Sequence, residues 1–113
     1  MAESIVQIVD RHSEAYNAKD IEKFVSCFSD KIKFYRPPLM APVMNGKGEL
    51  REFYGSQRFH LPDLRSELLN RMVIGNKVID HERTYGITEN PIEAVLVNEV
   101  IDGLIETVWV FTS

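Results

Sequence analysis

The sequence predicts an α+β domain, with three helices in the N-terminal half packed against a mostly antiparallel sheet of about five strands. Two observations carry this. Apolar residues repeat at helical spacing early in the chain and alternate at strand spacing late in it. Two dipeptides, Gly75-Asn76 and Asp102-Gly103, separate alternating runs at places where a two-residue hairpin turn is expected.

The first helix follows from Ile5, Ile8, Val9, His12 and Tyr16, which fall on one face at 3.6 residues per turn. Asn17 suits its exit, because asparagine tolerates a left-handed cap. Asp20 is a candidate N-cap for a second, short helix carrying Ile21, Phe24, Val25 and Phe28 at helical spacing. "KIKFYR" (31–36) alternates as a strand, and Pro37 and Pro38 end it, since proline cannot donate to a ladder. Residues 39–46 form an apolar, methionine-rich loop, expected to cover a pocket mouth, a partner surface or the domain's own core. "GKGELREFYGSQRF" (46–59) reads as a third helix with Leu50, Phe53 and Tyr54 inward. Strands 64–74, 77–87, 92–101 and 104–112 follow as two hairpins.

A chain of 113 residues predicts one domain, 1–113, long enough to bury a core without staples. The net charge of −4 and the absence of a basic cluster argue against nucleic acid. One cysteine, Cys27, forbids an internal disulfide, and a cytoplasmic location fits that usage. The N-terminus lacks the pattern of a signal peptide, and no apolar run is long enough for a membrane span. His12, His60 and His81 show no metal-ligand spacing, so neither metal nor cofactor is expected. Three helices cover only one sheet face, yet the last two strands are apolar on both. A homodimer through the convex face is therefore expected, using Leu96, Val100, Ile105, Trp109 and Phe111.

Four segments carry a family resemblance: "YNAKDIEKFVSCFSD", "GKGELREFYGS", "LLNRMVIGNKVIDHER" and "NEVIDGLIETVWVF". Together they resemble the nuclear transport factor 2-like superfamily, and within it the SnoaL-like, ketosteroid-isomerase-related proteins. The resemblance implies a cone-shaped curved sheet wrapped around the helices, with a cavity for a small, largely apolar organic molecule. The candidates for substrate contact in such a cavity are Tyr16, Phe34, Arg36, Phe53, Tyr54, Val97, Glu99 and Val108, with Tyr16 and Tyr54 also readable as packing residues whose hydroxyls find a partner at the cavity wall. The isomerase catalytic residues are not retained. Arg36 stands where the general-base aspartate precedes a proline, His12 matches the oxyanion-hole tyrosine, and Val97 is nearest to the buried aspartate donor. Phe53-Tyr54 keeps a second pocket tyrosine.

The chemistry centres on "VIDHER" (78–83). With Gly75-Asn76 as the turn, Val73 pairs with Val78, Arg71 with Asp80, Asn70 with His81 and Leu69 with Glu82. One face then carries Arg71, Asp80 and Glu82, and the other carries Asn70, His81 and Arg83. The isomerase resemblance implies that the first face is concave, with Glu99 of matching parity and His12 facing it from the first helix. The opposite parity would make Arg71, Asp80 and Glu82 a dimer-face or solvent network. With the concave parity, Arg71, Asp80, Glu82 and His12 are the candidates for general acid–base work. Glu82, lacking an obvious cation, would keep a raised pKa. An acid–arginine–acid trio also resembles limonene-epoxide-hydrolase-like members of the superfamily, which add water to an epoxide. The plainer alternatives are a structural Arg71–Asp80 ion pair, a solvated Glu82 and a hydrogen-bonded core His12. Arg36 has two readings, an anchor for an anionic ligand group or the partner of a carboxylate. Glu99 would oppose Glu106 across the last hairpin. At the level of function, an enzyme, a non-catalytic ligand-binding protein and a dimeric module without a functional cavity all remain open.

Overall fold

A computed structural model describes residues 3–113. Helix α1 spans Ile5–Ala18 and opens on a full capping box. The Ser4 side chain accepts from the Gln7 amide, and the Gln7 side chain accepts from the Ser4 amide. Its left-handed cap is Lys19 (φ 56°), not Asn17. Asn17 stays on the helix and uses its side chain elsewhere. It donates to the Ser66 carbonyl at 3.0 Å and accepts from the Ser66 amide at 2.8 Å, tying α1 to the sheet. Helix α2, Ile21–Val25, is capped by Asp20 as expected. Phe28 leaves it and instead begins strand β1, Phe28–Tyr35.

The sheet has six strands rather than about five. The extra one is β2, Met44–Asn45, a short edge strand pairing with Lys33 and Phe34 of β1. The apolar 39–46 loop thus divides. Val43 and Met44 border the cavity on the helix-covered face, whereas Leu39 and Met40 are exposed and do not pack on the domain's own core. Helix α3 is Lys47–Gln57, and strands β3 (Arg65–Ile74), β4 (Lys77–Tyr85), β5 (Ile92–Ile101) and β6 (Leu104–Thr112) complete the order β2-β1-β6-β5-β4-β3. Only β1 and β6 run parallel. Both two-residue turns form where expected, joining Ile74 to Lys77 and Ile101 to Leu104.

Two irregularities change which side chains face the helices. In β3 the register slips between Leu68 and Asn70, so Glu82 pairs with Leu68 and not Leu69. In the last hairpin Glu99 pairs with Thr107 and Val100 with Ile105, leaving Glu106 as an extra residue. One extra residue flips every side chain beyond it. Leu96, Val100 and Ile105 therefore face the concave, helix-covered side with Val108 and Val110, while Trp109 and Phe111 face the convex side with Val95 and Val97. Of the expected dimer face only Trp109 and Phe111 remain. Glu99 does not oppose Glu106; it lies on the convex side within 3.6 Å of Lys77.

The core fills the concave side. Ile8 and Val9 of α1, Phe24 of α2, Phe28 and Ile32 of β1, Leu50 of α3 and Val78, Ile105 and Val108 of the sheet are all buried. Gly86 follows β4 at φ +89°, where a Cβ would lie 2.4 Å from the Asp63 carbonyl. Glycine there lets two backbones cross and directs Ile87 back over the concave face. Among the described residues, no helix is long and apolar enough to cross a membrane.

Candidate active site

Between the concave face and the helices lies a cavity of about 520 Å³. α1 contributes His12, Ser13 and Tyr16; α2 contributes Phe24; and α3 and its end contribute Phe53, Tyr54 and Arg58. The sheet side supplies Phe34, Met44, Ser66, Glu82, Thr84, Ala94, Leu96 and Val110, while Arg36 and Val43 lie at the β1–β2 end. The volume suits a small organic ligand, and the lining is mostly apolar with a few polar groups, as in ordinary ligand pockets.

Aromatic rings form one wall. Tyr54 lies 4.7 Å from Phe24, 6.3 Å from Phe34 and 6.1 Å from Tyr16 between ring centroids. Burial pushes the Tyr16 hydroxyl up to about 12 and the Tyr54 hydroxyl higher still, and the negative field of Glu82 adds to both. Both phenols stay protonated at neutral pH and are able to donate a hydrogen bond into the cavity.

Glu82 is the acidic side chain that lines the cavity. β4 turns it inward because it shares parity with fully buried Val78 and Asp80. Its carboxylate accepts from the Ser66 hydroxyl at 3.1 Å, and among the described residues it has no cation within ion-pair distance. Burial, with a smaller contribution from the charge of Asp80, raises it to about 7. The β3 slip places Ser66 beside it. In an unbroken register Glu67 would share that face, and a second carboxylate would stand there instead. A smaller cleft of about 180 Å³ between α1 and β3, bordered by Asp10, Asn17 and Arg71, also reaches Ser13, Ser66 and Glu82.

Asp80 and Arg71 sit behind the site. Arg71 donates to both Asp80 oxygens, Nε–Oδ1 at 2.7 Å and Nη2–Oδ2 at 2.9 Å, and through Nη1 to Asp10 of α1 at 2.7 Å. The second acid of the trio is thus Asp10, not Glu82 or Glu99. Neither Asp80 nor Arg71 lines the large cavity, so the arrangement expected for epoxide opening does not assemble there. Asp80, fully buried, is paired with Arg71, and Arg71 in turn ties the sheet to α1 through Asp10.

His12 lines the cavity, but its Nδ1 lies 3.0 Å from the Val9 carbonyl and its ring packs against Phe24 and Phe28 at 5.3 and 5.5 Å. Nδ1 therefore carries the proton, and burial lowers the imidazole pKa and keeps the ring neutral. Tyr16, Phe34, Arg36, Phe53 and Tyr54 line the cavity. Val97 and Glu99 do not, because the Glu106 bulge sends their strand parity the other way. Val108 faces inward but is buried in the core and does not border the cavity. Sequence reasoning missed Ser66, Arg58, Thr84, Ala94 and Leu96. The hairpin register would have given Thr84 and Ala94, which follow from Glu82 by pairing or parity; Arg58 carried no pattern at all. No cluster of three or more potential metal ligands occurs among the described residues.

Comparison with known proteins agrees with this architecture. The SnoaL-like domain family matches residues 9–108. A nuclear transport factor 2-like protein of unknown function from Cytophaga hutchinsonii superposes with a TM-score of 0.84 at 13% identity, over 100% of this chain and 93% of the other. A Kribbella flavida protein provisionally named a ketosteroid isomerase gives 0.80 at 16% identity, over 94% and 75%. A Sinorhizobium meliloti protein provisionally named a polyketide cyclase gives 0.78 at 16%, over 92% and 93%. No curated protein sequence matches this chain.

Proposed function

The chain belongs to the SnoaL-like family, and we propose that its cone cavity performs general acid–base chemistry on a small, largely apolar organic molecule. The observation that carries this is Glu82, an inward carboxylate with a single hydroxyl partner, held near pKa 7 beside two protonated phenols. A base is most useful when its pKa lies near the working pH. In the proposed step, ionised Glu82 takes a proton from a carbon next to a carbonyl. The electron pair moves to the carbonyl oxygen, where Tyr54 or Tyr16 donates a hydrogen bond. Return of the proton at another carbon gives isomerisation; attack of the carbanion on a second carbonyl gives ring closure. His12, neutral and held by Val9, shapes the wall and is not the base.

The step is testable without the natural substrate. 5-Nitrobenzisoxazole is a flat, apolar molecule whose ring opens on loss of one proton, breaking its N–O bond to release a coloured phenolate. The expected result is turnover that rises with pH through about 7 and then levels, because Glu82 must be ionised to accept the proton. A rate no greater than that of buffer at every pH would reject the proposal.

The convex face supports a second part of the reading, a homodimer. Tyr35, Trp109, Val97, Ile79 and Met72 are register partners in turn, so they form one apolar row across five strands. Tyr35 and Trp109 stack at 6.2 Å. A contiguous, half-exposed row of this kind fits a two-fold interface between copies. Val97→Glu would put a charge at its centre, and sedimentation should then find a monomer where the parent chain is a dimer. A parent chain that sediments as a monomer would overturn this part.

A further inference from the structure

Two cations line the cavity, and among the described residues neither forms an ion pair. Arg36 leaves the end of β1 at the rim, and Arg58 follows α3. The Arg58 guanidinium carbon lies 4.8 Å over the Phe53 ring, and its Nη1 donates to the Gln57 carbonyl at 3.0 Å. Among the described residues, every ion pair within 4.0 Å uses a different cation. The chain as a whole is acidic, at −4, so two unpaired arginines on one cavity are not a spill-over of surface basicity. Both stand within electrostatic reach of the Tyr54 hydroxyl, where they oppose Glu82. The cavity is therefore polarised. The negative group comes from β4 and the positive groups from the ends of β1 and α3, and the aromatic residues line the same cavity.

We propose that the cavity takes an amphipathic anion, a molecule with an apolar body and one carboxylate end, the carboxylate held at Arg36 and Arg58 and the body lying on the aromatic wall. The reverse orientation would set two carboxylates side by side at Glu82. Guanidinium offers forked donors that match a carboxylate, and Arg58, pre-placed on Phe53, loses little freedom on binding. The orientation of the reacting carbon toward Glu82 rests on the acid–base reading above; binding of the anion does not.

The test compares decanoate with decan-1-ol, equal in chain length and differing in charge, by calorimetry at about neutral pH and low salt. Decanoate is expected to bind about tenfold more tightly, equivalent to about 1.4 kcal/mol. Arg36→Gln with Arg58→Gln should remove most of that difference and leave decanol binding within about twofold. Arg36→Gln alone, at an exposed position, serves if the double variant fails to fold. Equal binding of the two ligands, no binding of either, or equal weakening of both in the variants would overturn the proposal. Glu82→Gln separates the two ideas. It should leave decanoate binding intact or slightly tighter, so loss of catalysis with retained anion preference leaves the anion site standing.

Discussion

Glu82→Gln is expected to lower turnover of 5-nitrobenzisoxazole by about 10²–10⁴-fold, the usual contribution of a positioned base. Glutamine keeps the shape of the side chain and can still meet Ser66, but it cannot accept the proton. The same substitution should stabilise the fold at alkaline pH. The carboxyl of Glu82 titrates near 7 in the folded chain against 4.5 as its ordinary value, so between those values the folded state binds more protons than the unfolded one. Its favourable contribution is complete below about 4.5 and is lost as pH rises through about 7. Above that, the parent chain carries an enclosed charge costing about 3 kcal/mol, which the amide removes. Melting curves at acid and alkaline pH should therefore converge for Glu82→Gln and differ for the parent. Undiminished turnover in the variant would remove Glu82 from the mechanism.

Arg71→Met should be the most damaging single change to stability. It leaves Asp80 buried without its two-pronged partner and frees Asp10 from the sheet. Loss of one member of a buried pair costs about 3–5 kcal/mol, readable as a fall in the urea midpoint. Asp80→Asn with Arg71→Met should recover part of the loss, because the uncompensated charge is gone. If Arg71→Met were instead fully stable but inactive, Arg71 and Asp80 would belong to the catalytic machinery, contrary to their position behind the cavity.

These two residues illustrate what a linear pattern can and cannot fix. The Gly75-Asn76 turn sets the hairpin, and from it Arg71 opposite Asp80 follows by counting. The inward direction of Glu82 follows from strand alternation once Asp80 is placed. Counting fails at bulges. An extra residue has no strong signature when its neighbours are ordinary strand formers, as Glu106 between Ile105 and Thr107 is, and as Leu69 is in β3. The first exchanged the faces of Val97, Glu99, Leu96, Val100 and Ile105. The second replaced Glu67 by Ser66 beside Glu82, and so decides whether that acid meets a hydroxyl or a like charge. Contacts between distant segments were equally silent. Nothing near Asp10 or Asn17 announces that one will meet Arg71 and the other Ser66. Helices fared better, because amphipathic spacing and caps are local. Even there Phe28 fits the apolar stripe of α2 but is drawn into β1 by its pairing with Ile105.

A carbon-13 titration of the Glu82 side-chain carboxyl, assigned by its absence in Glu82→Gln, addresses the central claim most directly. The expected midpoint is near 7, well above the ordinary value of 4.5, with the Tyr16 and Tyr54 hydroxyls still protonated throughout. A midpoint near 4.5 would mean that Glu82 is an ordinary solvated carboxylate, and the cavity would have no poised base.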